Sequence, residues 1–152
     1  MRRRLYNETR EIIKQIFYKE VNMKEIEFRG KRIDNNKWVY GYYIKAIGSL
    51  IVEKRSSIST MEYVVVEDSV GQFTGLRDKN GVKIYEGDIV KIGAGVGEEK
   101  AIVRYECNKC RFIMHSVGKE YDYSVVQNNG VDHLNGVEVV GNIYDTHGII
   151  GG

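Results

Sequence analysis

Through most of the chain, apolar and polar residues alternate with the period of two that a half-buried strand requires. Ile26 and Phe28 alternate with Glu25, Glu27 and Arg29. After the turn residues Asp34, Asn35 and Asn36, the run KWVYGYYI over residues 37–44 predicts a strand. Its Gly41 marks a bulge or a close backbone approach. Residues 49–52 and 62–67 predict two more strands, and the unbroken apolar run Tyr63-Val64-Val65-Val66 predicts a central place for the second. Residues 88–92 and 100–105 follow, joined by the glycine-rich stretch 93–99. Residues 111–117 and 121–126 are expected to pair across Gly118-Lys119-Glu120, and residues 137–144 close the pattern. About ten short strands, with turn signals every 8–12 residues or so, predict a barrel or a sandwich.

The first 22 residues follow a different period. Leu5, Ile12, Ile13, Ile16 and Phe17 fall at helical spacing, Asn7 suits an N-cap, and Glu8 and Glu11 suit the positive end of a helix dipole. The spacing predicts a helix over about residues 8–20. The chain therefore divides into a helical extension (1–22), a β domain (23–146) and a tail (147–152). A natural start at Met23 would make the helix an optional extension. Its polar face carries both signs of charge, so it is expected to pack on its own domain or on a neighbouring copy, not on a membrane surface.

Composition sharpens this reading. With no proline in 152 residues, the 17 glycines carry most of the punctuation, and eleven tyrosines favour strands. No apolar run reaches the roughly 18 residues that cross a bilayer, and no apolar stretch follows Arg2-Arg3-Arg4 as a leader requires. A soluble cytoplasmic protein is expected. The net charge of +2 is uneven: six basic against three acidic residues give residues 1–22 a charge of +3, which leaves −1 for residues 23–152. Nucleic-acid binding, which draws on a basic patch of the folded domain, is therefore a second choice.

The densest run of distinctive residues is Val70–Val90, VGQFTGLRDKNGVKIYEGDIV. Asp78-Lys79-Asn80-Gly81 predicts a tight hairpin turn because Asn-Gly tolerates positive φ. Arg77, Asp78, Lys79, Glu86 and Asp88 form a charged cluster. It would either line a partner groove, hold a metal through Glu86 and Asp88, or be a solvated hairpin whose Asp caps backbone N–H groups; the last is preferred. Other candidates are weaker. Cys107-Asn108-Lys109-Cys110 is half of a structural zinc site, and a closed site needs four ligands. A hairpin turn with two reduced thiols is the expectation, unless two copies bring their pairs together. Gly93, Gly95 and Gly97 lack the spacing of a nucleotide loop, and Glu98 and Glu99 would repel phosphate. His115, His133 and His147 fall in no catalytic pattern. Trp38, Tyr40 and Tyr42 share one strand face and Val39, Gly41 and Tyr43 the other. Core packing is the expectation for one of these faces, ahead of base stacking.

The chain resembles the YopX-like proteins of phages and prophages. The resemblance rests on FRGK (28–31), WVYG (38–41), the Val70–Val90 block and EVVGNIYD (138–145), in that order. It implies a mostly β protein of SH3-like barrel character, as one or two intertwined small barrels, with the N-terminal helix outside the β domain. It also implies homo-oligomerisation. It supplies no activity, cofactor, metal or catalytic residue. The expectation is a non-enzymatic phage or prophage accessory protein that binds itself and an unknown host or phage protein. A nucleic-acid-binding barrel is the alternative, and a metal-dependent enzyme using Glu86 and Asp88 ranks last. The family signature offers a candidate partner surface: Thr74, Gly75, Arg77, Asp78, Lys79, Asn80, Gly81, Tyr85, Glu86, Gly87 and Asp88.

Overall fold

A computed structural model describes residues 25–93, 97–120, 122–124 and 136–145, together with Asn7 and Thr9. Apart from Thr9, the expected helix over residues 8–20 lies outside the described residues, as does the tail from 147. The described chain is mostly antiparallel β, with short 3-10 turns at Glu67–Ser69 and Cys107–Lys109. Its strands are β1 (Phe28–Lys31), β2 (Trp38–Lys45), β3 (Ser49–Lys54), β4 (Thr60–Val64), β5 (Gly71–Arg77), β6 (Lys83–Tyr85), β7 (Asp88–Ile92), β8 (Glu99–Glu106), β9 (Arg111–Ser116), β10 (Asp122–Ser124) and β11 (Val137–Asn142). They form two sheets, one ordered β4-β3-β2-β1-β5-β6 and the other β10-β9-β8-β7-β11.

Two expectations need correction. Neither sheet closes into a barrel among the described residues. The first sheet curls far enough that an isolated bridge, Arg32 to Val65, ties the end of β4 back to the end of β1. The Val66 N–H donates to the Lys31 carbonyl at 2.8 Å there, but one bridge does not make a ladder. The apolar run 63–66 is also not central. It ends β4, which stands at the margin of its sheet. Val65 alone of the three valines turns into the curl and is 3% exposed, while Val64 and Val66 face outward. A continuous apolar run cannot distinguish a strand buried on both faces from a margin strand whose outer face is uncovered.

The strands form where alternation marked them. In the first sheet the inner rung is Tyr43–Ile51–Tyr63, with Ile51 fully buried and Phe28 against Tyr43 at 5.6 Å between ring centroids. The second core gathers Ile84, Val90, Ala101, Val103, Met114 and Val137. Ile84 belongs to β6 of the first sheet, so the Val70–Val90 stretch joins the two sheets through a shared core.

Gly41 sits where β2 meets β3. A Cβ built there would stand 2.1 Å from the Val52 carbonyl oxygen, which is backbone and cannot swing aside. Gly41→Ala should therefore push β2 and β3 apart at a cost of about 2–4 kcal/mol, measured by urea unfolding. A stability within about 0.5 kcal/mol of the parent would contradict this close approach.

Candidate functional site

The turn at Asp78 is a hairpin of three loop residues, Lys79-Asn80-Gly81, with Gly81 at φ 82° supplying the left-handed position that such a loop ends on. Asp78 is fully buried. One carboxyl oxygen, Oδ1, accepts the N–H groups of Asn80 and Val82 at 2.8 and 2.9 Å. The other, Oδ2, accepts the Val139 N–H at 3.0 Å. The Lys79 N–H donates to the Val137 carbonyl, and its ammonium reaches Glu138 at 2.6 Å. The hairpin tip is thus pinned to β11, 61 residues further on.

The second turn, Tyr85-Glu86-Gly87-Asp88, is held by Asp88, which is 1% exposed. Its Oδ2 accepts the Tyr85 N–H at 2.7 Å, and its Oδ1 meets Arg29 Nη1 at 2.6 Å. Burial pushes the Asp88 carboxyl above the usual carboxylate range, against the pull of the Arg29 guanidinium and the Tyr85 N–H. Arg29 is itself buried. Its Nη2 donates to the Glu86 carbonyl, and its guanidinium stacks 4.7 Å from the Trp38 ring centroid and 5.0 Å from that of Tyr85. Its Nε has no hydrogen-bond partner among the described residues.

Around this pair lies a hollow of about 440 Å³ lined by Glu27, Arg29, Tyr40, Lys83, Tyr85 and Asp88, among others. The Tyr85 hydroxyl donates to Glu27, which also receives Lys83 at 2.9 Å. Burial and that bond to Glu27 push the Tyr85 phenol well above its ordinary range. Desolvation would lower the Lys83 ammonium, but Glu25 and Glu27 outweigh it and hold it raised. The charges lining this hollow are paired with one another, so the site balances its own charge and offers little to an ionic ligand.

Next to Arg29, Asp145 collects three donors: Lys31 at 2.7 Å, the Trp38 indole N–H at 2.6 Å and the Asn142 amide at 2.7 Å. Burial alone would raise its carboxyl, but the bonds from Asn142, Lys31 and Trp38 win and bring it down to about 2. A depressed carboxyl stabilises the fold above its unfolded value and ceases to do so as pH falls through the folded one. The Asp145 contribution should therefore fade between the ordinary value of 3.8 and about 2. The side chain is 40% exposed, so screening holds this to about 1 kcal/mol or less. Asp145→Asn should flatten the acid limb of the stability–pH curve in that window. An unchanged limb, or a carboxyl ¹³C titration of Asp145 centred near 3.8, would count against the cluster.

These contacts unite the blocks FRGK, WVYG, the Val70–Val90 stretch and EVVGNIYD, which are scattered over more than a hundred residues. The YopX protein family model matches residues 27–150, most of the chain. The chain belongs to the YopX family. No curated protein matches it.

In this YopX chain, only Lys79 and Asn80 of the eleven signature residues are exposed. Thr74 is buried, its hydroxyl donating to the Ile84 carbonyl. Gly75 breaks the β5–β6 register, Arg77 donates to the Gly81 carbonyl, and Glu86 accepts the Tyr105 N–H. Gly87 ties the sheets together, donating to the Val103 carbonyl and accepting the Ile143 N–H. Glu86 and Asp88 turn to different partners, and no group of three metal-ligating side chains occurs among the described residues. Cys107 and Cys110 are exposed free thiols on the β8–β9 hairpin turn. His115 pairs with Asp122 at 2.7 Å across β9 and β10. His133, His147 and Gly95 lie outside the described residues, and no described helix is long and apolar enough to cross a membrane.

Sequence reasoning passed over Arg29, Glu27, Lys83 and Asp145 as individual residues. The available signal was an arginine inside an alternating strand next to a phenylalanine. Its partner Asp88 is 59 positions away, and nothing local links the two.

A different surface stands open on the other half of the first sheet. The register aligns Tyr42–Val52–Glu62 and Ile44–Leu50–Val64 as two neighbouring rungs on its outer face. Five of these six side chains are apolar. Tyr42 is 58%, Ile44 46% and Val64 48% exposed. Uncovered apolar patches of this kind mark interaction surfaces.

Proposed function

We propose that this protein is a non-enzymatic accessory protein of a phage or prophage that acts by protein–protein interaction, beginning with self-association. The observation that carries the reading is the outer apolar face of β2, β3 and β4, set against a signature region whose charged groups are engaged within the chain. A catalytic site keeps reactive groups accessible to substrate, whereas Asp78, Asp88 and Arg29 hold the two sheets together. For the finer architecture we infer an SH3-like strand arrangement that is not closed, and the Arg32–Val65 bridge that draws β4 towards β1 supports it. We further infer work in the bacterial cytoplasm, where exposed thiols such as Cys107 and Cys110 stay reduced.

Analytical ultracentrifugation across a concentration series tests the reading. The parent protein should gain mass with concentration. Tyr42→Lys with Val64→Lys should weaken association at least about tenfold, because each removes an apolar contact worth about 1.5 kcal/mol or more. A parent protein that is monomeric throughout, or a double variant that associates equally well, would overturn it. Both substitutions lie at exposed positions, so the far-ultraviolet spectrum should not change.

A further inference from the structure

We infer that the turn between β8 and β9 is a binding site for a soft monovalent metal ion, held between the Cys107 and Cys110 thiolates of one chain. The inference stands apart from the interaction reading and concerns the other sheet.

The turn brings the two thiols together. Rungs Tyr105–Phe112 and Glu106–Arg111 close the hairpin and leave Cys107-Asn108-Lys109-Cys110 as its loop. Cys107–Lys109 form one 3-10 turn, and the Cys110 N–H returns to the Cys107 carbonyl at 3.3 Å. Such a turn keeps its first and fourth Cα atoms within about 7 Å. The Cys110 thiol folds back the same way and donates to that carbonyl at 3.5 Å. Both thiols are free and exposed. Two cysteines separated by two residues have the spacing with which metal knuckles chelate one ion.

The backbone adds a second observation. Cys110 is left-handed, with φ 50° and ψ 42°. Among the described residues, Asn36 is the one other non-glycine at positive φ. A side chain there costs about 1–2 kcal/mol, which glycine avoids and asparagine recovers in part. Turning the chain therefore gives no reason for a thiol at this position.

The surroundings suit a thiolate pair. The Tyr105 ring packs edge-on against Phe112, with centroids 5.1 Å apart. Partial desolvation, then the Cys110 and Cys107 sulfurs, push the Tyr105 phenol above its ordinary value. Its hydroxyl stands beside the pair as a donor to a metal-bound sulfur. Glu106 holds Lys109 at 2.8 Å and Arg111 at 3.2 Å, and these three side chains leave one net positive charge. Two thiolates around a monovalent cation carry one negative charge, which that excess balances.

Coordination number selects the ion. No group of three metal-ligating side chains occurs among the described residues, whereas a structural zinc site needs four ligands. Copper(I) is soft, favours thiolate and is satisfied by two of them in a line. Binding breaks two S–H bonds, forms two sulfur–copper bonds and releases both protons to water. The copper keeps its +1 state throughout.

Anaerobic titration of the reduced full chain with copper(I), in competition with bicinchoninate, tests this. Copper should pass from the chelator to the protein in a one-to-one ratio, and X-ray absorption should show two sulfur neighbours. Cys107→Ser and Cys110→Ser should each weaken retention more than about a hundredfold, since loss of even an outer partner costs about 10–100-fold. Both positions are exposed, so an unchanged far-ultraviolet spectrum should confirm that the variants fold. Failure to take copper from the chelator, or equal retention by either serine variant, would overturn the site. One metal per two chains with four sulfur neighbours would also overturn it, because the site would then be shared between copies.

Discussion

Asp88→Ala should lower the stability of the protein by about 3–5 kcal/mol, the usual cost of removing one partner from a buried ion pair. Three losses coincide. Arg29 keeps its charge in a buried position, its Nη1 loses the 2.6 Å contact, and the Tyr85 N–H loses its acceptor. Against a typical stability of about 5–15 kcal/mol, this is a large share of the total. Burial already disfavours the ionised Asp88 carboxyl, so the pair adds little net stability over an apolar substitute. It fixes which backbone groups meet. Arg29→Met together with Asp88→Leu should therefore cost clearly less than the sum of the single alanine variants. Urea unfolding of the four proteins decides the point. Additive losses would mean that Arg29 and Asp88 act separately. Arg29→Lys should also destabilise, because an ammonium cannot hold Asp88, the Glu86 carbonyl and two aromatic faces at once.

The second large effect is expected at Asp78. Asp78→Ala leaves three backbone N–H groups, from Asn80, Val82 and Val139, without their carboxyl acceptor. Asn80 and Val82 lie at the exposed tip and can turn to water, so the lasting loss falls on Val139, and about 2–4 kcal/mol is expected in all. Hydrogen exchange gives the sharper readout. Protection of the Val139 amide, and of Lys79 bonded to Val137, should drop more than that of β8 and β9, whose ladder bonds run to β7, to each other and to β10. Uniform loss across all strands would show that Asp78 supports the fold generally and does not pin this hairpin to β11. Asp78→Asn should not rescue the contact, since an amide presents one acceptor oxygen where two are used.

Much of the fold is legible in the chain because the relevant physics is local. Alternation along Trp38–Lys45 follows from a strand that buries one side, whereas the apolar runs Ile89-Val90 and Ala101-Ile102-Val103 are buried on both faces. The Asn80-Gly81 turn follows from the one loop position that needs positive φ. The close approach at Gly41 follows from a glycine in an otherwise bulky strand. The Val64 region misled because hydrophobicity reports what a residue prefers, not which neighbours the sheet provides.

The candidate site was less legible. The dense charges of Val70–Val90 read equally well as a solvated tip, a metal site or a partner surface, since composition does not say which side chains turn inward. Asp78 and Asp88 are buried because their acceptors meet N–H groups and a guanidinium delivered by β11, β1 and the turn itself. Those partners lie up to 61 residues away.

The sequence by itself determined most of the strands, their turns and the family, since each is carried by residues within a few positions of one another. Only the tertiary structure decided that Arg29, Asp88 and Asp145 knit the family blocks into one junction, that neither sheet closes among the described residues, and that the described residues leave the outer rungs of β2–β4 uncovered. Those outcomes depend on strand order and register, which arise from long-range pairing that no short stretch of sequence encodes.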